Sequence, residues 1–404
     1  MTATTYSRDD FIDLLRGLAI LLVLVFHALG TAFPAEHLQW GSGLFPDFNV
    51  SPSFLLLLPA TFGWSGVAIF FAISGFCIHN SYTRERQLGV TRYLVKRTFR
   101  IYPPYFISLC FFSLWFVLHG HRDLFHNFLL HVLLIHNFSS DYFYGINLAY
   151  WSIAVEFQLY ILYIPLIFVT TKFGWRPTIA LAFLLESCLR TVEAYQLMRF
   201  GKISMWLAGC PFTYIFSWSV GALIADVSAK KTFDFQYKTI WIPIILIIGI
   251  GSQFVKPAST FSFMIFSMSS AMMILHTQYH NLQISWRIGG LVSLGVVSYS
   301  VYLIHQPIIQ LVANVYRYYV GFEIQPLLVF AICVCMMVPI FWCSLIMRKI
   351  VELPSVNMGY QLLAMLGQPR KAAPNTARVG AREQPYTPAV ERLGVRRKPI
   401  STVC

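Results

Sequence analysis

Long apolar runs separated by short polar punctuation set the architecture of the chain. At about 1.5 Å of rise per residue, roughly 18 to 20 apolar residues cross a bilayer as a helix. Runs of that order fall at about 10–30, 63–81, 100–119, 150–171, 178–198, 210–226, 239–255, 260–275, 292–316 and 326–347. None alternates in and out over about ten residues, as the strands of an outer-membrane barrel do. The stretch "NFLLHVLLIHNF" at 127–138 is too short to cross and predicts a helix lying in or dipping into the interface. The pattern therefore predicts an all-α polytopic membrane protein of about ten transmembrane helices in one bundle.

Composition agrees: of 404 residues, 57% are hydrophobic and 12% charged, about half the charged share of a soluble domain. The net charge of +13 does not point to nucleic acid, because the basic residues sit in short loops and the C-terminal tail. Residues 31–62 hold no lysine or arginine, whereas the next loop holds Arg84, Arg86, Arg92, Lys96, Arg97 and Arg100. The positive-inside rule puts the first outside and the second in the cytoplasm, and both termini then come out cytoplasmic, as an even number of spans requires. The chain divides into an integral-membrane domain, 1–365, and a basic, disordered cytoplasmic tail, 366–404, apt to touch anionic lipid. Asp9, Asp10 and Asp13 oppose Arg8 and Arg16, so the first run lacks the basic flank of a signal peptide and is kept as a span. The eight cysteines lie mostly in apolar stretches and read as small buried hydrophobes.

Against this background a few polar residues stand out. In "DLLRGLAILLVLVFHA" (13–28), Arg16 and His27 are eleven residues apart. That spacing sets them within about 20° of one helical face and about 16 Å apart along the axis. Either Arg16 pairs with Asp13 and His27 is a packing residue, or both line a polar path. In "AYWSIAVEFQLYILY", Glu156 follows Tyr150 and Trp151, which read as an interfacial belt. The rise places its carboxylate about 7 Å below that belt, level with His27. A His27–Glu156 pair would satisfy both groups and raise the basicity of the imidazole, as suits a general base; it would equally serve to hold two helices together. In "RYLVKRTFRIYPPY", Arg97 and Arg100 form a fork beside Lys96, fit for phosphate and also explicable as cytoplasmic retention charge. His305 precedes Pro307 in "VSYSVYLIHQP" and either lines a cavity or caps carbonyls freed by the proline. His276 and His280 are four apart without a third ligand, and no metal site is expected.

These motifs resemble those of acyltransferase family 3, the bacterial integral-membrane O-acyltransferases of surface polysaccharides and related glycosides. "IDLLRGLAILLVLVFH" resembles the family's opening helix, "FFAISGFCI" (70–78) its second span, and "KRTFRIYPPY" its paired arginines. "WSIAVEFQLY" (151–160), "SYSVYLIHQP" (298–307) and "VELP" (351–354) follow in the family's order over most of the first 354 residues. Ala154 stands where a hydroxyl residue is common and Leu15 where glycine is common.

The resemblance implies transfer of an acyl group, most often acetyl, from cytoplasmic acyl-coenzyme A to a hydroxyl of a cell-surface or lipid-linked glycan outside the inner membrane. Acyl-CoA is then a co-substrate, and no cofactor is permanently bound. On that reading Lys96, Arg97 and Arg100 clamp the CoA phosphates and Arg16 lines the passage. His27 acts as base or acyl carrier with Glu156 orienting it. Asp13, Ser74, Trp151, Tyr299 and His305 are the remaining expected cavity residues, Tyr299 as a candidate oxyanion donor. Relatives that carry a hydrolase-like domain imply a separate periplasmic helper here, or none. The other class open to this pattern is a transporter or flippase of a lipid-linked sugar.

Overall fold

A computed structural model describes residues 8–33, 52–84, 89–118, 124–230, 239–279, 288–320 and 325–366. The expected tail, most of the 31–62 loop and His280 lie outside the described residues. Among those described there is no strand. The helices run α1 (Arg8–Ala32), α2 (Pro52–Leu56), α3 (Ser65–Arg84), α4 (Gly89–Leu118), α5 (Leu124–Val132) and α6 (Tyr150–Phe173). They continue with α7 (Trp175–Phe200), α8 (Met205–Ala208), α9 (Ile215–Lys230), α10 (Trp241–Ser252) and α11 (Ser262–Tyr279). The last are α12 (Gly289–Val296), α13 (Ser298–Val320), α14 (Pro326–Cys335), α15 (Met337–Met347) and α16 (Leu353–Leu366).

Among the described residues, six helical stretches are long and apolar enough to cross a membrane, and seven if the bent pair α12–α13 is taken as one. With these the chain is a multi-pass, all-helical membrane protein. Two of the other expected spans fall short for visible reasons. α7 carries Glu186, Arg190 and Glu193, and α10 has only 12 residues.

Small residues let the central helices touch. α3 and α9 cross where a Cβ on Gly75 would stand 2.0 Å from the Trp218 carbonyl oxygen, and one on Gly221 2.0 Å from that of Ala72. Lipid gives no hydrophobic drive to helix pairing, so such backbone contact is what packing must supply. A second crossing joins α1 to α12, where a Cβ on Gly295 would lie 1.7 Å from the Asp13 carbonyl oxygen. That crossing corrects the expected span 292–316. α12 follows α1 and the chain turns by 82° into α13, breaking ten residues before the proline at which a kink is expected.

Pro307 instead sits inside an intact α13. It cannot donate to the Leu303 carbonyl, and the Asn147 side chain does so from the loop before α6, at 3.0 Å. Among the described cysteines, Cys77 and Cys333 are buried as expected. Cys188, Cys335 and Cys343 are instead exposed thiols.

Candidate functional site

Two cavities adjoin between α1, α3, α6 and α13. The first, about 110 Å³, is lined by Arg16 of α1, Ser74 of α3, Arg97 and Arg100 of α4, Glu156 and Tyr160 of α6, and Tyr299 of α13. The second, about 540 Å³, is lined by His27 and Thr31 of α1, Trp64 before α3, Trp151 of α6, and Gln306, Gln310, Asn314 and Arg317 of α13. Val67 and Tyr302 belong to both linings. The Tyr302 hydroxyl is tied to Ser152 Oγ at 2.6 Å, and its ring meets Phe70 edge-on. A tethered aromatic side chain thus stands between an arginine chamber and a histidine chamber.

The arginine chamber gathers three cations and one carboxylate. Arg16 donates to Asp13 Oδ1 at 2.8 Å, so the local pairing expected from their three-residue spacing is made, and Arg16 still lines the chamber. Arg97 is 7% exposed. Arginine and carboxylate charges are costly in apolar surroundings, and their company here lowers that cost. A relay of hydroxyls holds the carboxylate: Trp218 donates to Ser74 at 3.2 Å, Ser74 to Tyr160 at 3.3 Å, and Tyr160 to Glu156 at 2.6 Å. Lys96 does not join the fork; its ammonium lies over the Tyr360 ring of α16, 5.2 Å from the centroid. Adjacent residues on a helix face different ways, which the fork's Arg97 and Arg100, three apart, do not.

The expected pairing of His27 with Glu156 is not made. Glu156 accepts from Tyr160 and lines the arginine chamber; His27, half-buried, lines the other. The reason lies at the start of α6. Tyr150, read as an interfacial residue, is fully buried, with its hydroxyl 2.6 Å from Ser108 Oγ. The helix therefore begins inside the protein and carries Glu156 deeper than a belt position would.

Beside His27 stands His305 instead, with ring centroids 5.1 Å apart. His305 is fully buried, and its Nδ1 reaches the carbonyls of Tyr302 at 2.9 Å and Val301 at 3.2 Å. Since carbonyls only accept, Nδ1 carries the proton and Nε2 is the basic nitrogen. His305 thus caps carbonyls, though not the one that Pro307 frees. Tyr299 donates to the Ile101 carbonyl at 2.7 Å and lines the arginine chamber. Its hydroxyl proton is engaged there, in the chamber that His27 does not line. Trp151 lines the histidine chamber, stacked on Phe143 at 5.7 Å, and Asp13 reaches the site only through Arg16.

Reading the sequence missed the polar residues of α13 beyond His305. Gln306, Gln310, Asn314 and Arg317 recur at helical spacing, a signal of one polar face in an otherwise apolar segment. It missed, too, the buried triad on α7, spaced three and four residues apart: Arg190 donates to Glu193 at 2.9 Å and lies 3.5 Å from Glu186.

A family model described as an acyltransferase domain matches residues 9–346. Among curated proteins, the putative membrane-bound transacylase BcsY of Komagataeibacter xylinus is 28% identical over 167 residues, which cover 38% of this chain and 36% of that protein. The chain thus covers little more than a third of that relative's length. No solved structure matches it. With the helical architecture, the paired chambers and a family match over most of its length, the chain belongs to acyltransferase family 3.

Proposed function

We propose that this membrane acyltransferase moves an acyl group, acetyl by preference, from cytoplasmic acyl-CoA to a hydroxyl of a cell-surface or lipid-linked glycan on the outer side of the inner membrane. Ten spans with both termini cytoplasmic, and a basic tail at the inner surface, complete the proposed topology. CoA cannot cross lipid, because its phosphates would have to be desolvated. The enzyme must therefore hold the phosphates at one side and deliver the thioester to the other.

The observation that carries this reading is the division of charge along the bundle: three arginines line one chamber and His27 lines its neighbour. Arg97 and Arg100 offer the planar donors that bind phosphate oxygens in pairs, while Arg16 lies along the pantetheine's route. Glu156 balances these cations and keeps the relay through Tyr160 and Ser74 in place. His27 takes the proton of the acceptor hydroxyl as its oxygen attacks the thioester carbonyl; the C–S bond breaks and CoA leaves as thiolate. His305 packs against His27 and fixes the orientation of its ring. Tyr302, standing between the two chambers, limits the water that reaches the thioester, which keeps transfer to the glycan hydroxyl ahead of hydrolysis.

The test is thiol release from acetyl-CoA by the purified protein. Release that depends on added glycan acceptor, and is abolished by His27→Ala, supports the reading. Glycan translocation without thiol release overturns it in favour of transport. Arg97→Ala combined with Arg100→Ala removes two charge-assisted contacts of about 1.5 to 3 kcal/mol each, so donor affinity should fall at least about a hundredfold. An unchanged affinity removes the clamp.

A further inference from the structure

The histidine chamber has a second polar wall that faces His27 and that no part of the acyl-donor chemistry uses. Gln306, Gln310, Asn314 and Arg317 of α13 all line it. At about 100° per residue they fall within about 80° of one another, along about 16 Å of helix. Their burial is graded: Gln306 is 3% exposed, Gln310 is half-buried and Asn314 is exposed. The stripe therefore runs from the closed floor of the chamber to its mouth. At the mouth Arg317 hydrogen-bonds the Thr31 carbonyl of α1. This holds the amide face of α13 opposite the His27 face of α1.

One atom of the floor residue lacks a donor. Gln306 Oε1 is buried and has no hydrogen-bond partner among the described residues. A buried amide oxygen left without a donor costs about 1 to 3 kcal/mol, and native proteins keep few of them. Here it belongs to a chamber that also holds the proposed base. The ligand it suits must bring hydroxyl groups, because an amide can both give to and accept from a hydroxyl. A hydrocarbon chain would leave the stripe desolvated and unpaired. An anion would ask for cations, and the stripe's one cation is engaged with Thr31. The lining also holds the aromatic side chains of Trp64, Trp151 and Tyr144, surfaces suited to the C–H faces of a sugar ring. The volume of about 540 Å³ lies within the usual range for a small-molecule site.

We propose that the amide stripe of α13 is the acceptor subsite: Gln306, Gln310 and Asn314 hold a neutral pyranose-type ring and turn one of its hydroxyls toward His27. The inference rests on the acyl-transfer reading and places acceptor choice on a helix wall. Gln306 and Gln310 are positioning residues for that hydroxyl, and Asn314 contacts the ring nearer the mouth.

The experiment compares wild type, Gln306→Ala with Gln310→Ala, and Asn314→Ala on two readouts. One is binding of labelled acetyl-CoA to protein in lipid nanodiscs; the other is O-acetylation of the cells' own surface glycans by mass analysis at matched protein levels. The double variant should lose about tenfold or more in glycan acetylation, corresponding to one or two hydrogen bonds, with acetyl-CoA affinity within about twofold of wild type. Asn314→Ala, at an exposed position that the core does not use, should show a smaller fall in the same direction. Unchanged acetylation in both variants overturns the subsite. Acetyl-CoA affinity falling in parallel with acetylation also overturns it, since the stripe would then be structural. A wild type that binds acetyl-CoA but acetylates no surface glycan fails at the function itself, before either variant is considered.

Discussion

Glu156, hydrogen-bonded by Tyr160 in the company of Arg16, Arg97 and Arg100, is placed to offset cations. Removing its charge by Glu156→Gln leaves those arginines less opposed, so the KM for acetyl-CoA should fall severalfold while the pH dependence of kcat stays put. A carboxylate acting on His27 would behave differently: its loss would move the acid limb of the kcat profile, where the base takes up its proton, to lower pH. Steady-state kinetics across pH separates the two. The residue types of the site were legible in the sequence, because buried charge in an apolar run is expensive wherever it occurs. Their pairing was not. Depth along α6 was inferred from Tyr150 as an interfacial marker, and a tyrosine whose hydroxyl finds Ser108 inside the bundle carries no such information.

At the scale of elements, the triad on α7 stabilises a helix that composition alone makes a poor span. Arg190 lies over the Tyr214 ring, 4.9 Å from its centroid, and donates to the Thr213 carbonyl at 2.8 Å, while Ser217 Oγ and N–H both bond Glu186. Removing one member strands the others: Arg190→Met leaves two buried carboxylates and should cost about 3 to 5 kcal/mol. Adding Glu186→Gln and Glu193→Gln to it should recover much of the loss, as followed by thermal unfolding in detergent. No recovery would mean the triad acts through something besides charge balance. Helix positions were well read where hydrophobicity alone decides, as in α1, α3, α6, α9 and α11. The break before α13 was not legible, since it follows from the fit of Gly295 against α1, a contact between distant parts of the chain. Pro307 drew attention as the visible breaker, yet Asn147 satisfies the carbonyl it frees and the helix runs on.

For the molecule as a whole, the decisive feature is that Tyr302 and Val67 are shared by two chambers of different character. In the proposed cycle the thioester must pass Tyr302 to reach His27. Tyr302→Ala should merge the chambers, admit water to the thioester, and raise CoA release in the absence of acceptor by severalfold. Tyr302→Phe, which keeps the ring and loses only the bond to Ser152, should raise it far less. Equal background hydrolysis in all three proteins would show that the tyrosine plays no part in the closure. With the chambers opening to opposite faces of an energised bilayer, as proposed, an unobstructed polar bore would also short-circuit the proton gradient the cell lives on. A single aromatic ring held by a serine is therefore insulation as much as a doorway, and growth of cells making the alanine form should become sensitive to external acidity.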